Sequence, residues 1–349
     1  MEIIFNRDMK QNLLAFIVLF IVLTISFPSC NGKDDNVTLN NPDDLLEDPI
    51  NNPDEYKSEE YNLDEFIEDI INSPDKVRLL KVFRYSNSTV SKHSGEVVYE
   101  YDEAGNLIKE SSYDCRSTGN LIWMQKEYEY SENRKIKEKI FDGEVGNVTL
   151  GSYVVYIYSG DLLEKKETYC GRGCYGSLIH STNYEYDERG NLVRIYSVNS
   201  DNGIYGDIKY VYDNQNRLIL EENTETEVSD YYHKYLKYIY DNDGRETKQE
   251  YYSVNNKLIL YVQKVYDETS QLPSMDLHYD INGNLTAKYQ HFYDEWGNLT
   301  ETINSRGCSY FKRKYVGDFL IEDIDYGTWD TGFNDCSESG VSRYKYQKF

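Results

Sequence analysis

Six aspartates share one place in a recurring pattern, directly after a tyrosine and three residues before a glycine or asparagine. Clustered carboxylate oxygens suit Ca²⁺, so a row of these aspartates along one sheet edge could bind calcium. An aspartate at the first position of a turn also accepts backbone N–H bonds from residues further on. This turn role explains every aspartate, and we predict no metal site. The six are Asp102, Asp187, Asp213, Asp241, Asp280 and Asp294.

The five histidines form none of the short motifs that mark an active site. The sequence has no H-E-x-x-H, no G-x-S-x-G and no phosphate-binding loop. Glycoside hydrolysis needs two carboxylates at a defined separation, and in a chain with 61 acidic residues the sequence cannot single out such a pair. We therefore predict no catalytic residue, no cofactor and no enzymatic activity.

Five of the six cysteines lie beyond residue 100, all in predicted longer turns or C-terminal loops at one sheet edge. Export would permit disulfides. Cys170 and Cys174 share one turn and could pair, and Cys308 could pair with Cys336. Cys115 would then have no cysteine assigned to it. Two alternatives are weaker: a Cys170 nucleophile, and a zinc site, which needs four clustered ligands although no histidine stands at ligand spacing from these cysteines.

The aspartates belong to a longer pattern, Y-x-Y-D-x-x-G-N-L, complete at residues 99–107 and 184–192. Alternating tyrosines predict a strand with one aromatic face, and the aspartate begins a type I turn. The glycine follows where the chain needs a positive φ, so Gly105, Gly190, Gly283 and Gly297 are predicted turn residues. This turn would place each tyrosine opposite a leucine: Tyr101–Leu107, Tyr186–Leu192, Tyr212–Leu218, Tyr279–Leu285 and Tyr293–Leu299.

The last tyrosine of each unit recurs every 26–29 residues between Tyr101 and Tyr293. Each period holds two strands and two turns, which predicts an all-β domain over 75–349. We expect one continuous antiparallel meander of roughly 20 strands, forming a long, open, curled sheet, since twisted sheets beyond about ten strands curl or split. Residues 341–349 would close the last edge. The tyrosine face should be concave, with a binding surface at Tyr184, Tyr186, Tyr210, Tyr212, Tyr238 and Tyr240.

This phased series resembles the YD repeats of the RHS (rearrangement hot spot) family, found in bacterial secreted toxins and related cell-surface proteins. The resemblance covers about residues 80–320. It implies a curled β-sheet of the kind that, in some members, wraps into a hollow shell. The chain has neither the Asp/Pro/Gly-rich segment that ends the large toxin shells nor a toxin domain. We therefore expect a short YD-repeat protein without a toxin domain.

The N-terminal residues 1–29 have the basic start and short apolar run of a signal peptide. The run ends at Cys30 in a loose match to a lipobox, which predicts lipidation. An ordinary secretory signal with an incidental Cys30 is the alternative. Residues 33–35 resemble an acidic signal that directs some Gram-negative lipoproteins to the cell surface. The acidic, proline-containing stretch 30–61 is predicted to be a disordered tether.

Residues 62–74 are predicted to form one short helix, because apolar residues recur there with helical spacing. A capping-box-like start at Asn62 and a stop at Ser73–Pro74 bound it. We expect this helix to cap the first edge of the sheet, which an open array would leave unpaired. A helix that recognises a partner is the alternative interpretation.

The net charge of −24 argues against a nucleic-acid partner, whose phosphates need a basic surface. Charged residues on both predicted faces argue against a transmembrane barrel, which needs an apolar outer band. The 36 tyrosines suit a semi-exposed sheet face, and also glycan or protein contacts. We predict an exported outer-membrane lipoprotein, anchored to the membrane by lipid and facing either the cell surface or the periplasm, that binds a glycan or another surface protein. An accessory or remnant of an RHS-type toxin or delivery system is the alternative.

Overall fold

The structure, a computed structural model, describes residues 77–86, 89, 93–116, 121–174, 176–224, 233–326 and 338–348. All belong to the second of the two units into which the chain divides, Met1–Glu47 and Asp48–Phe349. The predicted signal peptide 1–29 with Cys30, the tether and the helix 62–74 lie outside the described residues. Among the described residues there is no helix with the length and apolar character needed to cross a membrane.

Twenty strands follow one another in the part of the chain that the structure describes, in agreement with the predicted number. They are β1 (Val77–Tyr85), β2 (Gly95–Tyr101), β3 (Leu107–Asp114), β4 (Leu121–Ser131), β5 (Arg134–Glu144), β6 (Asn147–Ser159), β7 (Leu162–Cys170), β8 (Leu178–Tyr186), β9 (Leu192–Asn199), β10 (Ile204–Tyr212), β11 (Leu218–Asn223), β12 (Tyr235–Tyr240), β13 (Glu246–Tyr252), β14 (Leu258–Tyr266), β15 (Pro273–Asp280), β16 (Leu285–Tyr293), β17 (Leu299–Asn304), β18 (Ser309–Val316), β19 (Phe319–Tyr326) and β20 (Glu338–Lys348).

The sheet closes on itself. Each strand pairs antiparallel with the next one in sequence, and β20 returns to pair with β1, for example Tyr344 with Val82. The fold is therefore a closed, 20-stranded antiparallel barrel, and the predicted open curled sheet is wrong. The first edge is covered by β20, so β1 has partners on both sides. Closure leaves no unpaired strand edge, which is the physical reason to prefer it over an open array. No helix occurs among the described residues.

The turns divide between two ends of the barrel. The short-turn edge carries the turns that begin at Asp102, Asp187, Asp213, Asp241 and Asp294, and the long-turn edge carries the opposite connections. In the turn after β8, Asp187 Oδ1 accepts the N–H groups of Arg189 and Asn191, both at 2.9 Å. Asp187 Oδ2 accepts the Asn191 side-chain amide, also at 2.9 Å. The carboxylate is thus occupied by its own turn.

The residue that ends each turn has the left-handed conformation that the turn requires. Gly190 and Gly297 both have φ +83°, and Asn216 has φ +67° in the copy that lacks glycine. A register shift follows at once, so that Tyr186 pairs with Leu192. All five predicted tyrosine–leucine pairings are confirmed: those at Tyr101, Tyr186, Tyr212, Tyr279 and Tyr293.

The two faces of the barrel differ in exposure along each strand. In β12, Leu236 and Tyr238 are buried while Lys237 and Ile239 are exposed. The same alternation holds in β10, where Tyr210 is less exposed than Val211. The face that carries these tyrosines is the more buried one, which we call the interior face. Its strands hold tyrosines together with lysine and carboxylate side chains.

Candidate functional site: the tyrosine-lined interior face

Two rows of tyrosine lie on the interior face. The outer row is nearest the turns, and each of its hydroxyls donates a hydrogen bond to a backbone carbonyl of the neighbouring strand, over 2.7–3.0 Å. The donor and acceptor pairs are Tyr101–Leu79, Tyr158–Lys135, Tyr186–Leu163, Tyr212–Leu192, Tyr240–Leu218, Tyr266–Glu246, Tyr293–Pro273 and Tyr346–Leu320.

These acceptors lie where the strand ladder is interrupted. Leu192, for example, is the residue that pairs across the register shift with Tyr186, and its carbonyl accepts the Tyr212 hydroxyl at 3.0 Å. A polar group left unmatched by a bulge is costly when buried, and the hydroxyl satisfies it. Burial raises the pKa of Tyr240 in this row to about 12. Three predicted binding residues, Tyr186, Tyr212 and Tyr240, thus join successive hairpins.

The inner row consists of Tyr184, Tyr210 and Tyr238, two residues before the outer-row tyrosines of β8, β10 and β12. Burial raises the pKa of all three hydroxyls. None of these hydroxyls makes a hydrogen bond to another described residue, and none is among the buried polar atoms sealed off without a partner. The inner row therefore presents aromatic rings and uncommitted hydroxyls to the interior.

On the β7 side of the inner row, a lysine lies between two tyrosine rings. Lys166 Nζ lies 5.5 Å from the ring centre of Tyr156 and 5.6 Å from that of Tyr184. Such positions allow cation–π attraction. Burial lowers the pKa of Lys166. Tyr156 occupies the corresponding place in β6, but it differs from the inner row because its hydroxyl already donates a hydrogen bond, to Glu138 Oε2 at 2.7 Å.

Carboxylates lie on the other side, and we call Glu221, Glu246 and Asp276 the interior acidic cluster. Burial raises the pKa of Glu221 and of Glu246. Burial also acts to raise the pKa of Asp276, but a hydrogen bond from His291 and the charge of Lys264 outweigh it, and the net shift is downward. Glu221 Oε2 and Asp276 Oδ1 have no hydrogen-bond partner among the described residues.

A pair of carboxylates with pKa values shifted in opposite directions is the arrangement used in acid–base catalysis. Here the Lys264 ammonium lies 3.7 Å from Glu246 Oε1 and 3.7 Å from Asp276 Oδ1, so one cation is shared by both. His291 Nε2 lies 3.4 Å from Asp276 Oδ2. The cluster is therefore partly charge-compensated.

The interior acidic cluster is not singled out by any local sequence motif. Its members lie 25 and 30 residues apart on β11, β13 and β15, which is close to the two-strand period. That period is the signal that could have found them, because residues one period apart share a face. The outer-row hydrogen bonds were missed as well, since their acceptors are backbone carbonyls.

The six turn aspartates do not all lie on one edge. Asp280 begins a turn on the long-turn edge, whereas the other five lie on the short-turn edge. Each carboxylate also accepts hydrogen bonds from its own turn, as Asp294 does from Trp296 and Asn298. The predicted turn residues Asp102, Gly105, Asp187, Gly190, Asp280, Gly283, Asp294 and Gly297 all occupy such turns.

The four described cysteines all lie at the long-turn edge, as predicted. Cys170 and Cys174 are both in the thiol form, and Cys170 Sγ donates to the Arg172 carbonyl at 3.2 Å. Their pairing stays a prediction for an oxidised chain. Cys308 is disulfide-bonded, and its predicted partner Cys336 lies outside the described residues.

Known proteins resemble this chain only in structure. No protein-family profile matches it, and no curated protein matches it. The membership of the YD-repeat family therefore stays a prediction.

Similar solved structures include toxin components and porin-like proteins. A chain of the Photorhabdus luminescens Tc holotoxin pore is 16% identical over 68% of this chain and 14% of its own length, with a TM-score of 0.37. A TcdB2–TccC3 structure is 12% identical over 74% of this chain and 18% of its own length, with a TM-score of 0.33.

A porin-like protein from Bacteroides uniformis is 11% identical over 77% of this chain and 98% of its own length, also with a TM-score of 0.33. This chain thus spans less than a fifth of the two toxin chains and nearly the whole of the porin-like protein. All three TM-scores are below one half, so no activity or partner is transferred from these proteins.

Proposed function

We propose that this chain is a non-catalytic binding scaffold of the cell envelope that holds a glycan on its interior face. The observation that supports this is the inner row, where Tyr184, Tyr210 and Tyr238 combine ring surface with hydroxyls that no described residue engages. The outer row already has a structural task, so the inner row is the part of the tyrosine face left for a ligand.

The chemistry of the face favours a glycan over a folded protein. A glycan chain is slender and rich in hydroxyls, whereas a folded partner must present a broad complementary surface. Tyrosine rings offer apolar area with a polar tip. The carboxyl groups of Glu221, Glu246 and Asp276 make this part of the interior acidic, so neutral and amino sugars suit the site better than anionic ones.

The test uses the full chain on a glycan array, with hits measured by calorimetry. The variant Tyr184→Phe/Tyr210→Phe/Tyr238→Phe removes three hydroxyls and keeps the rings. At about 0.5–1.5 kcal/mol for each hydrogen bond, binding should weaken by roughly tenfold or more. The matched control, Tyr186→Phe/Tyr212→Phe/Tyr240→Phe, removes outer-row hydroxyls and should lower stability without lowering affinity in the folded protein.

Two results would contradict the proposal. One is a wild-type chain that captures no glycan of any class, and the other is an inner-row variant that binds as tightly as wild type. Conversion of a captured glycan that stops in Glu246→Gln, while circular dichroism shows an intact sheet, would show an enzyme instead. Neighbouring secretion or immunity genes would favour the RHS-type alternative.

Attachment to the envelope is proposed through lipid on Cys30, which lies outside the described residues. The wild-type chain should fractionate with membranes and incorporate a fatty-acid analogue, and Cys30→Ala should lose the label. Unlabelled, soluble wild-type protein would contradict the anchor. Protease accessibility on whole cells would then distinguish the surface from the periplasm.

A further inference from the structure

Three buried side chains with metal-binding atoms meet at the long-turn edge, outside the tyrosine face. His93 precedes β2, Glu96 lies within β2 and Cys115 follows β3. Their exposed fractions are 5%, 1% and 1%. The Cys115 N–H donates to the Ser94 carbonyl at 3.0 Å, so the backbone fixes the three segments together. Glycine at position 95 lets the strands approach closely, since a Cβ there would lie 3.1 Å from the Tyr113 carbonyl oxygen.

The side-chain atoms converge. One ligand atom from each of His93, Glu96 and Cys115 lies within 4.8 Å of the others. His93 Nε2 and Glu96 Oε2 are 3.4 Å apart. His93 Nε2 and both Glu96 carboxylate oxygens are buried without a hydrogen-bond partner among the described residues. Leaving such buried atoms unmatched costs free energy, and more for a charged group, so a further partner would stabilise the site.

The surroundings do not provide that partner in full. The ring of Phe83 meets His93 edge-on at 5.1 Å between centres and offers no polar atom. Lys81 supplies positive charge: burial lowers its pKa, and the carboxylate of Glu96 acts against that lowering. An ammonium can balance Glu96, but it only donates hydrogen bonds and so cannot serve a protonated nitrogen of His93. A cation that accepts nitrogen and oxygen ligands would satisfy His93 and Glu96 together, and the Cys115 sulfur beside them offers such a cation a third ligand atom.

We propose that His93, Glu96 and Cys115 bind one Zn²⁺, with a water molecule as the fourth ligand. Zinc takes imidazole, carboxylate and thiolate ligands at about 2.0–2.3 Å, which in a tetrahedron separates ligand atoms by roughly 3.3–3.8 Å. The observed cluster needs only a small contraction to reach those separations. On binding, the Cys115 thiol releases its proton to solvent and the thiolate coordinates the metal. Zinc would join the β1–β2 connection to the end of β3, beside the strands that close the barrel.

Local sequence spacing does not indicate this arrangement, because no histidine stands close to Cys115 along the chain. His93 and Glu96 are three residues apart, but Cys115 lies 19 residues further on and reaches them only through the β2–β3 hairpin. The site is independent of the proposed glycan-binding face, so either proposal can fail without the other.

The test is zinc titration of the full, untagged chain after chelator treatment, by calorimetry and by elemental analysis. Wild-type protein should bind one equivalent. His93→Gln, Glu96→Gln and Cys115→Ser should each weaken binding by about tenfold or more. Two controls remove the same functional groups elsewhere: Cys170→Ser and His180→Gln should bind zinc as wild type does.

Cobalt separates coordination from a loss of folding. Co²⁺ in the wild-type site should show a thiolate-to-metal charge-transfer band that is absent in Cys115→Ser, and circular dichroism should show that this variant keeps its sheet. Wild-type protein that binds no zinc would overturn the proposal. Zinc affinity that is unchanged in Cys115→Ser and Glu96→Gln would also overturn it, because the metal would then lie elsewhere.

Discussion

The region where the barrel closes differs from the regular repeats between β8 and β16. At the closure, formed by β1, β2 and β20, Phe83, Tyr85 and Val341 pack into a fully buried cluster with Ile324 against it. In the repeats, the interior face is held by tyrosine hydroxyls and paired charges. The repeats join strands that are adjacent in sequence, whereas closure joins the two ends of the domain. Closing so long a loop loses more chain entropy, and apolar burial offsets it there.

Loss of apolar volume at the closure is expected to have the largest effect on stability. Phe83 is 0% exposed, so Phe83→Ala should lower the free energy of unfolding by about 3–5 kcal/mol. Phe292, in β16, is 38% exposed. Phe292→Ala should therefore change the free energy of unfolding by less than about 1 kcal/mol. Urea denaturation of both variants measures the difference. If both variants lost the same unfolding free energy, apolar burial would contribute equally to the closure and to the repeats.

A smaller effect is expected from a turn within the repeats. Gly190 has φ +83°, and a Cβ added there would have no atom within 4 Å, so only backbone strain opposes a side chain. Gly190→Val should destabilise by about 1–2 kcal/mol. Gly190→Asn is the matched control, since Asn216 adopts this conformation in the next copy, and it should cost less. A harmless valine, measured by thermal unfolding, would contradict the turn assignment.

These turns show which part of the fold the sequence could predict. Asp187, Gly190 and Asn191 act within one turn, so local pattern is sufficient, and the pairing of Tyr186 with Leu192 follows from it. Closure depends on contacts between β1 and β20, which no local pattern encodes. An open sheet was therefore the natural but wrong expectation.

The residues of the candidate sites divide in the same way. The tyrosine face followed from strand alternation, which fixes the side on which each ring lies. The separate roles of Tyr210 and Tyr212 did not follow, because they depend on the carbonyl of Leu192 across the neighbouring strand. The meeting of His93 with Cys115 needed the assembled hairpin.

The hydrogen bonds of the outer row allow a finer test. Tyr212→Phe removes the bond to Leu192 and should destabilise by about 0.5–1.5 kcal/mol. Tyr210→Phe removes a hydroxyl that no described residue engages and should be close to neutral. Chemical denaturation of the two variants gives the difference. If Tyr210→Phe proved the more damaging, the division of the face into two rows would be wrong.

The smallest effect concerns pH. Burial raises the pKa of Glu221 above its ordinary value of 4.5, so the folded chain binds this proton more tightly than the unfolded chain does. The bound proton therefore stabilises the fold fully at pH values below 4.5, and this stabilisation is lost as the pH rises through the pKa that Glu221 has in the folded chain. Glu221→Gln should therefore melt at a higher temperature than wild type near neutral pH, and the advantage should disappear in acid.

A Glu221→Gln variant whose melting temperature differs from wild type by the same amount at every pH would rule out titration of Glu221 as the cause.

The antiparallel contact between β1 and β20 also limits how such a chain can change in length. In an up-and-down barrel the first and last strands run in opposite directions only when the strand count is even. Each sequence repeat contributes two strands, so gain or loss of a whole repeat preserves this parity, whereas gain of a single strand would present β1 with a parallel neighbour. The repeat is therefore the smallest unit that can be copied or deleted while the barrel still closes, and relatives of different size are expected to differ by hairpins.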